Sequence, residues 1–228
     1  MDNINIIKNE VIKLLGSDNS GHGMDHINRV SKIALSLVDE STNKELVTAI
    51  ALLHDVDDYK IVGNETDLVN AKEILSKTTF TDEEKNIIIN SIKTIGYSKR
   101  ISGITPYIKE AMVVSDADML DAMGAVGILR SHQYNLSHGN PFFDKDEFPT
   151  LEVNAEVYKS KTKGTVVNHI FEKILRLKDM MLTEKGMEEA TKRYNFIVEF
   201  LKEYFHEVGA EEWAEYLENY LNKNTRVI

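Results

Sequence analysis

Apolar residues recur at helical spacing along most of the chain. Ile4, Ile7, Val11, Leu14 and Leu15 form one stripe, Ile27, Val30, Ile33, Ala34 and Leu37 a second, and Leu46, Ile50 and Leu53 a third. Positions three and four apart share one face of a helix, so each stripe predicts an amphipathic helix. Thr81 followed by Glu84 has the spacing of a capping box, ahead of an apolar-rich run that reaches Ile92. The same reading predicts further helices over about 65–77, 106–119, 120–134, 165–181, 183–207 and 211–222. No stretch alternates apolar and polar residues between turn signals as a half-buried strand does. The expected fold class is therefore all-α.

Residues 137–150, SHGNPFFDKDEFPT, interrupt the pattern with two of the three prolines of the chain and three phenylalanines. A structured loop of this length is expected there. It serves either as a lid or binding edge, or as a surface connection whose phenylalanines plug one side of the core.

Composition narrows the classes. The 228 residues suffice for one domain with its own core, expected over 1–228. Helices are expected on both sides of the 137–150 loop, at about 20–135 and over 165–222. With no cysteine there is no disulfide, thiolate ligand or thiol nucleophile, which fits a reducing cytoplasm. The N-terminal MDNINIIKNE lacks the basic and apolar regions of a signal peptide. No apolar run approaches the ~18 residues of a membrane span. A soluble cytoplasmic protein with no membrane partner is expected, as monomer or homodimer. The net charge of −10 argues against general nucleic-acid binding. It leaves room for a small phosphorylated substrate, because a metal ion and a few lysines invert the local field.

The chemistry concentrates in three places. In ALLHDVDDYK an apolar helix ends abruptly on His54 and Asp55, whose burial needs compensation. In GHGMDHINRV, His22 and His26 are four residues apart and His26 and Arg29 three apart, all on one face if helical. In SDADMLDAMGA, Asp118 and Asp121 are one turn apart beside small residues, where Gly124 and Ala125 permit close approach of another helix. Each piece alone has an ordinary structural explanation, such as a helix end, a helix start or a satisfied interior pair. Together, two imidazoles and two carboxylates on apolar helices supply a mixed nitrogen and oxygen donor set, suited to Mn, Fe, Co, Ni or Zn, with Mg also admissible.

In these residues the chain resembles the HD-domain metal-dependent phosphohydrolases. His26, then His54-Asp55, then Asp118 follow the order and rough spacing of that family. DHINRV, ALLHDV, DADMLDAMGAVGILR and NHIFEKILRLKDMM are similar to the stand-alone bacterial members of about this size, over most of the chain. The resemblance implies a single-domain helical bundle with one divalent metal held by His26, His54, Asp55 and Asp118. It also implies hydrolysis of a small phosphorylated metabolite, with a nucleotide, and nucleoside triphosphate pyrophosphohydrolysis in particular, as the favoured version. A phosphodiesterase or phosphomonoesterase with the same site is the alternative, and a non-catalytic sensor or scaffold whose metal ties helices together is another. The two-metal branch of the family and its di-iron oxygenases are disfavoured, since their extra histidines are not evident.

Beyond the ligands, Asp58 and His22 are candidates for acid–base work, being close in sequence to them. Asp121 is a candidate for orienting a ligand histidine or a water at the metal, or equally an acceptor within the bundle. Lys60, Arg29, Lys163, His169 and Lys173 are candidates for phosphate contacts. Arg29 has a rival role in an ion pair with Asp25 or Asp121 that fixes the helix carrying His26. Tyr59, Tyr97 and Phe142 are aromatic candidates for stacking on a base.

Overall fold

A computed structural model describes residues 2–16, 23–58, 67–151 and 164–224. Among these it contains helices and no strand. In chain order they are α1 (Asn3–Leu15), α2 (Met24–Leu37), α3 (Lys44–Leu53), α4 (Val69–Ser76), α5 (Asp82–Ile92), α6 (Tyr97–Ile101), α7 (Lys109–Asp121) and α8 (Gly124–Ser137). Then follow α9 (Val166–Glu172), a 3-10 helix (Ile174–Met180), α10 (Glu184–Glu207) and α11 (Glu211–Asn224). None of the helices is long and apolar enough to cross a membrane.

Local signals account for many of the boundaries. The Thr81 hydroxyl accepts from the Glu84 amide while the Glu84 carboxylate accepts from the Thr81 amide, so the expected capping box starts α5. Asn43 caps α3 by accepting from the amides of Glu45 and Leu46. The α4 cap comes from outside the helix: the buried Asp57 carboxylate accepts from the amides of Asn70 and Ala71. The predicted helix over 165–181 breaks at Lys173, where φ −130° and ψ −60° leave α geometry, and continues as a 3-10 turn. The α7–α8 boundary falls later than expected. α7 runs to Asp121, and Gly124 at φ +70° turns the chain into α8 in a conformation that L side chains rarely adopt. A Cβ at Gly124 would sit 3.3 Å from the Arg193 side chain of α10, so this glycine does allow close approach. Ala125 beside it faces solvent.

The buried apolar residues form one connected cluster from Ile7 in α1 to Leu217 and Tyr220 in α11. α2, α3 and α7 contact one another pairwise at its centre. α7 is buried on nearly every side, Asp116 and Asp121 included. The 137–150 loop packs its phenylalanines against α10 and α11. Phe148 stacks on Trp213 at 4.5 Å, Phe143 meets Trp213 edge-on at 5.1 Å, and Phe142 lies 5.0 Å from Tyr204. The carbonyls of Pro141 and Phe142 accept from the first amides of α9. The loop therefore takes the plug role, and Phe142 is held in an aromatic cluster rather than presented to a base.

Asp116, fully buried on α7, ties that helix to the start of α10. It accepts from the Leu182 amide at 2.9 Å, the Thr183 amide at 2.8 Å and the Thr183 hydroxyl at 2.7 Å. Burial raises its pKa against the pull of these donors and of Arg100. Asp116→Ala strands three donors and is expected to cost about 2–4 kcal/mol, read from urea unfolding midpoints at unchanged m.

Candidate metal centre

His26, in the first turn of α2, and His54 and Asp55, at the end of α3, converge with Asp118 from α7. His54 is the cap residue of α3 and Asp55 lies just beyond it. Side chains of adjacent residues inside a helix diverge by about 100°, yet His54 Nε2 and Asp55 Oδ2 come within 3.5 Å of each other in the turn that follows α3. His26 Nε2 lies 3.3 Å from His54 Nε2, 3.3 Å from Asp55 Oδ2 and 3.6 Å from Asp118 Oδ1. His54 Nε2 lies 3.5 Å from Asp55 Oδ2 and 3.9 Å from Asp118 Oδ1. Donors around one ion at ~2.0–2.1 Å stand ~2.9 Å apart in cis-octahedral and ~3.4 Å apart in tetrahedral geometry. The observed separations are those of a site that closes slightly on an ion.

The tautomers make the same case. The His54 Nδ1–H donates to the Ala51 carbonyl, left unpaired by the end of α3, at 2.8 Å. The His26 Nδ1–H donates to Asp121 Oδ2 at 2.7 Å. With both Nδ1 positions committed, each neutral ring presents its Nε2 lone pair inward, towards the other and towards two carboxylate oxygens. The donor atoms of His26, His54 and Asp55 lie within 4.8 Å of one another, and Asp118 Oδ1 stands beside both rings; lone pairs gathered this closely are offset by a positive charge, and a divalent ion fits. Without metal, a proton fills part of that need. Burial disfavours charge on His26, but hydrogen bonds to Asp121 and Asp55 and the charges of Asp55 and Asp118 outweigh it and raise its pKa from 6.5 to about 9.

The sign of the pH dependence follows. In metal-free protein the stabilisation from His26 is complete below 6.5 and is lost as pH rises through about 9. A bound ion replaces that proton, so metal affinity rises over the same interval. Thermal unfolding of both forms between these pH values is expected to show Tm falling in the metal-free protein while the gain from metal grows.

Asp121 is only 1% exposed and holds more than His26. Arg29 grips it in bidentate fashion, Nε to Oδ1 at 2.7 Å and Nη2 to Oδ2 at 3.1 Å. Arg130 of α8 donates to Oδ2 and to the Asp121 main-chain carbonyl. Burial alone would raise the Asp121 pKa; the His26 and Arg29 hydrogen bonds and the Arg130 charge hold it well below the usual carboxylate range. Arg29 thus fulfils its expected ion-pair role, with Asp121 as the partner. Arg130 carries no sequence signal for this contact, because it lies nine residues beyond Asp121 and across a helix corner.

The other candidates fall partly outside the described residues. Asp58 is half-buried in the turn after the ligands, its amide donating to the Asp55 carbonyl at 3.0 Å. His169 is half-buried on α9, and Lys173 lies 4.9 Å over the Tyr97 ring, which is itself buried. His22, Tyr59, Lys60 and Lys163 lie outside the described residues. The two histidine side chains are nearly sealed, at 3% and 1% exposure, whereas Asp55 and Asp118 reach 13% and 24%. The centre therefore opens on its carboxylate side.

The family model of the HD domain matches residues 23–123, a span that contains all four donors and ends before Arg130. A crystal structure from Lactobacillus plantarum is 32% identical, covering 91% of this chain and 97% of that one, with a TM-score of 0.80. An HD-superfamily hydrolase from Bacillus thuringiensis is 30% identical over 91% and 97% of the two chains, with a TM-score of 0.70. Bacillus subtilis YpgQ, solved in complex with ADP, is 26% identical over 88% and 97%, with a TM-score of 0.69.

Proposed function

Because the chain belongs to the HD-domain superfamily of metal-dependent hydrolases, we propose that its substrate is a nucleotide and its reaction nucleoside triphosphate pyrophosphohydrolysis. The single observation that carries a catalytic reading is the exposure of the centre on its carboxylate side, the side from which a phosphate oxygen and a water would approach. The ADP complex of YpgQ supports a nucleotide over other phosphorylated metabolites.

In this reading His26, His54, Asp55 and Asp118 hold one divalent ion. Such an ion supplies positive charge to a phosphoryl oxygen and acidifies water. Asp121 keeps His26 in the required tautomer. Asp58 and His22 are assigned proton transfer, from the attacking water and to the leaving group. Lys60, Lys163, His169 and Lys173 are assigned the phosphate oxygens. Water oxygen bonds to the α-phosphorus, the α–β anhydride bond breaks, and pyrophosphate departs with the electron pair.

A panel of nucleoside triphosphates, diphosphates and cyclic nucleotides, run with Mn- and Ni-loaded protein and followed by phosphorus NMR, tests this. Nucleoside monophosphate with pyrophosphate is the expected product pair. Inorganic phosphate alone, or ring opening of a cyclic nucleotide, overturns it in favour of phosphomonoesterase or phosphodiesterase chemistry. No turnover at full metal occupancy leaves the scaffold reading.

A further inference from the structure

α8 contributes no ligand, yet it reaches the metal centre. Asp121 Oδ2 receives three donors: the His26 Nδ1–H, the Arg29 Nη2–H and the Arg130 Nη1–H. The Arg130 Nη1 also donates to the Asp121 carbonyl, one of the unpaired carbonyls at the C-terminus of α7, where a cation is favoured. One guanidinium nitrogen thus holds both the backbone and the carboxylate of the residue that orients His26.

The corner between α7 and α8 is built to bring it there. Gly124 takes φ +70° at the turn, and a Cβ at Gly127, one turn before Arg130, would lie 2.1 Å from the Ala122 carbonyl oxygen. Without a side chain at 127, α8 folds back closely enough for Arg130 to meet Asp121. Arg130 is 25% exposed and Asp121 1%, so solvent does little to replace the lost donor.

We infer that Arg130 is a positioning residue of the metal centre, holding Asp121, and through it the His26 ring, in the orientation that presents Nε2 to the ion. Arg29 fixes Asp121 from the helix that carries His26, so α2 and that carboxylate can shift together. Arg130 fixes it from a second helix and sets it against the α7 backbone that also carries Asp118. Removing such an outer partner of a ligand histidine commonly lowers metal affinity about 10–100-fold. The inference rests on the four-donor centre and is independent of the substrate.

The test uses the full chain, stripped of metal and titrated with Co(II) and Mn(II), as wild type, Arg130→Met, Arg130→Gln and Arg130→Lys. Arg130→Met is expected to bind about 10–100-fold more weakly, with altered visible bands of bound Co(II). Arg130→Lys, which keeps a charged donor, is expected to recover most of the affinity, with Arg130→Gln in between. A residue that merely straps the corner would lower the Tm of the metal-free protein and leave the affinity and the Co(II) bands unchanged; that result overturns the role. If Arg130→Met does not fold, the lysine and glutamine variants decide, and equal affinity in both and the wild type overturns it. Wild-type protein that takes up no metal overturns the centre and this role with it.

Discussion

Asp118→Ala is expected to strip the protein of its metal and its hydrolytic activity while leaving the metal-free fold in place. Of the four donors, Asp118 is the most exposed and comes from a third helix, α7, after His26 on α2 and His54 and Asp55 at the end of α3. It lies 3.6 and 3.9 Å from the two Nε2 positions, beyond a strong hydrogen bond. In the metal-free protein its charge is one of several that hold the proton on His26, so the fold stays in place without it. The ion, however, loses one of its two carboxylate charges and a quarter of its protein donors. A loss of affinity beyond the ~100-fold typical of an outer partner is expected. Turnover should fall by three orders of magnitude or more, roughly the range lost when the main source of transition-state charge stabilisation goes. Metal analysis of the dialysed variant, beside a melting curve of both metal-free proteins, checks this. A full equivalent of metal in Asp118→Ala would place the ion elsewhere.

Asp121→Ala is expected to produce the largest loss of stability. The substitution leaves a buried imidazole and two arginines without their counter-charge, and removing one partner of a buried charge network costs about 3–5 kcal/mol. It also frees the His26 ring to turn, so metal affinity falls as well. The contrast between the two aspartates is diagnostic: loss of metal alone is expected at Asp118, and loss of both metal and stability at Asp121. Urea unfolding of the metal-free proteins at neutral pH measures the difference. The sign with pH is fixed by the depressed Asp121 pKa: its stabilisation is present above the ordinary carboxylate value of 3.8 and is lost as pH falls further. The gap between wild type and Asp121→Ala should therefore close in acid. Asp121→Asn, which keeps an acceptor oxygen but turns an amide towards the arginines, should fall between the two.

These expectations show how differently three acids of one helix are used. Asp116, Asp118 and Asp121 sit within six positions on α7 and read alike in the sequence as a cluster beside small residues. In the structure Asp116 anchors the start of α10, Asp118 faces the Nε2 atoms of His26 and His54, and Asp121 holds His26 between two arginines. Resemblance to a family singled out Asp118, and helical spacing linked Asp121 to it. Nothing in the local pattern revealed Asp116, because its donors come from residues 66 and 67 positions away.

What the sequence by itself determined is whatever depends on neighbours along the chain. The stripes of α1, α2 and α3, the capping box at Thr81 and the all-helical class follow from contacts three and four residues apart, and those are written as a period. The abrupt end of an apolar helix on His54 and Asp55 likewise announced buried charge that needed a partner. Only the tertiary structure decided the tautomers of His26 and His54, the fate of Asp116, the reach of Arg130 and the packing of Phe142, Phe143 and Phe148 on α10 and α11. The physical reason is twofold. α7 is buried on nearly every face, so no polar stripe records which way its side chains point. The remaining contacts cross helix corners or long separations, where no periodicity connects the partners.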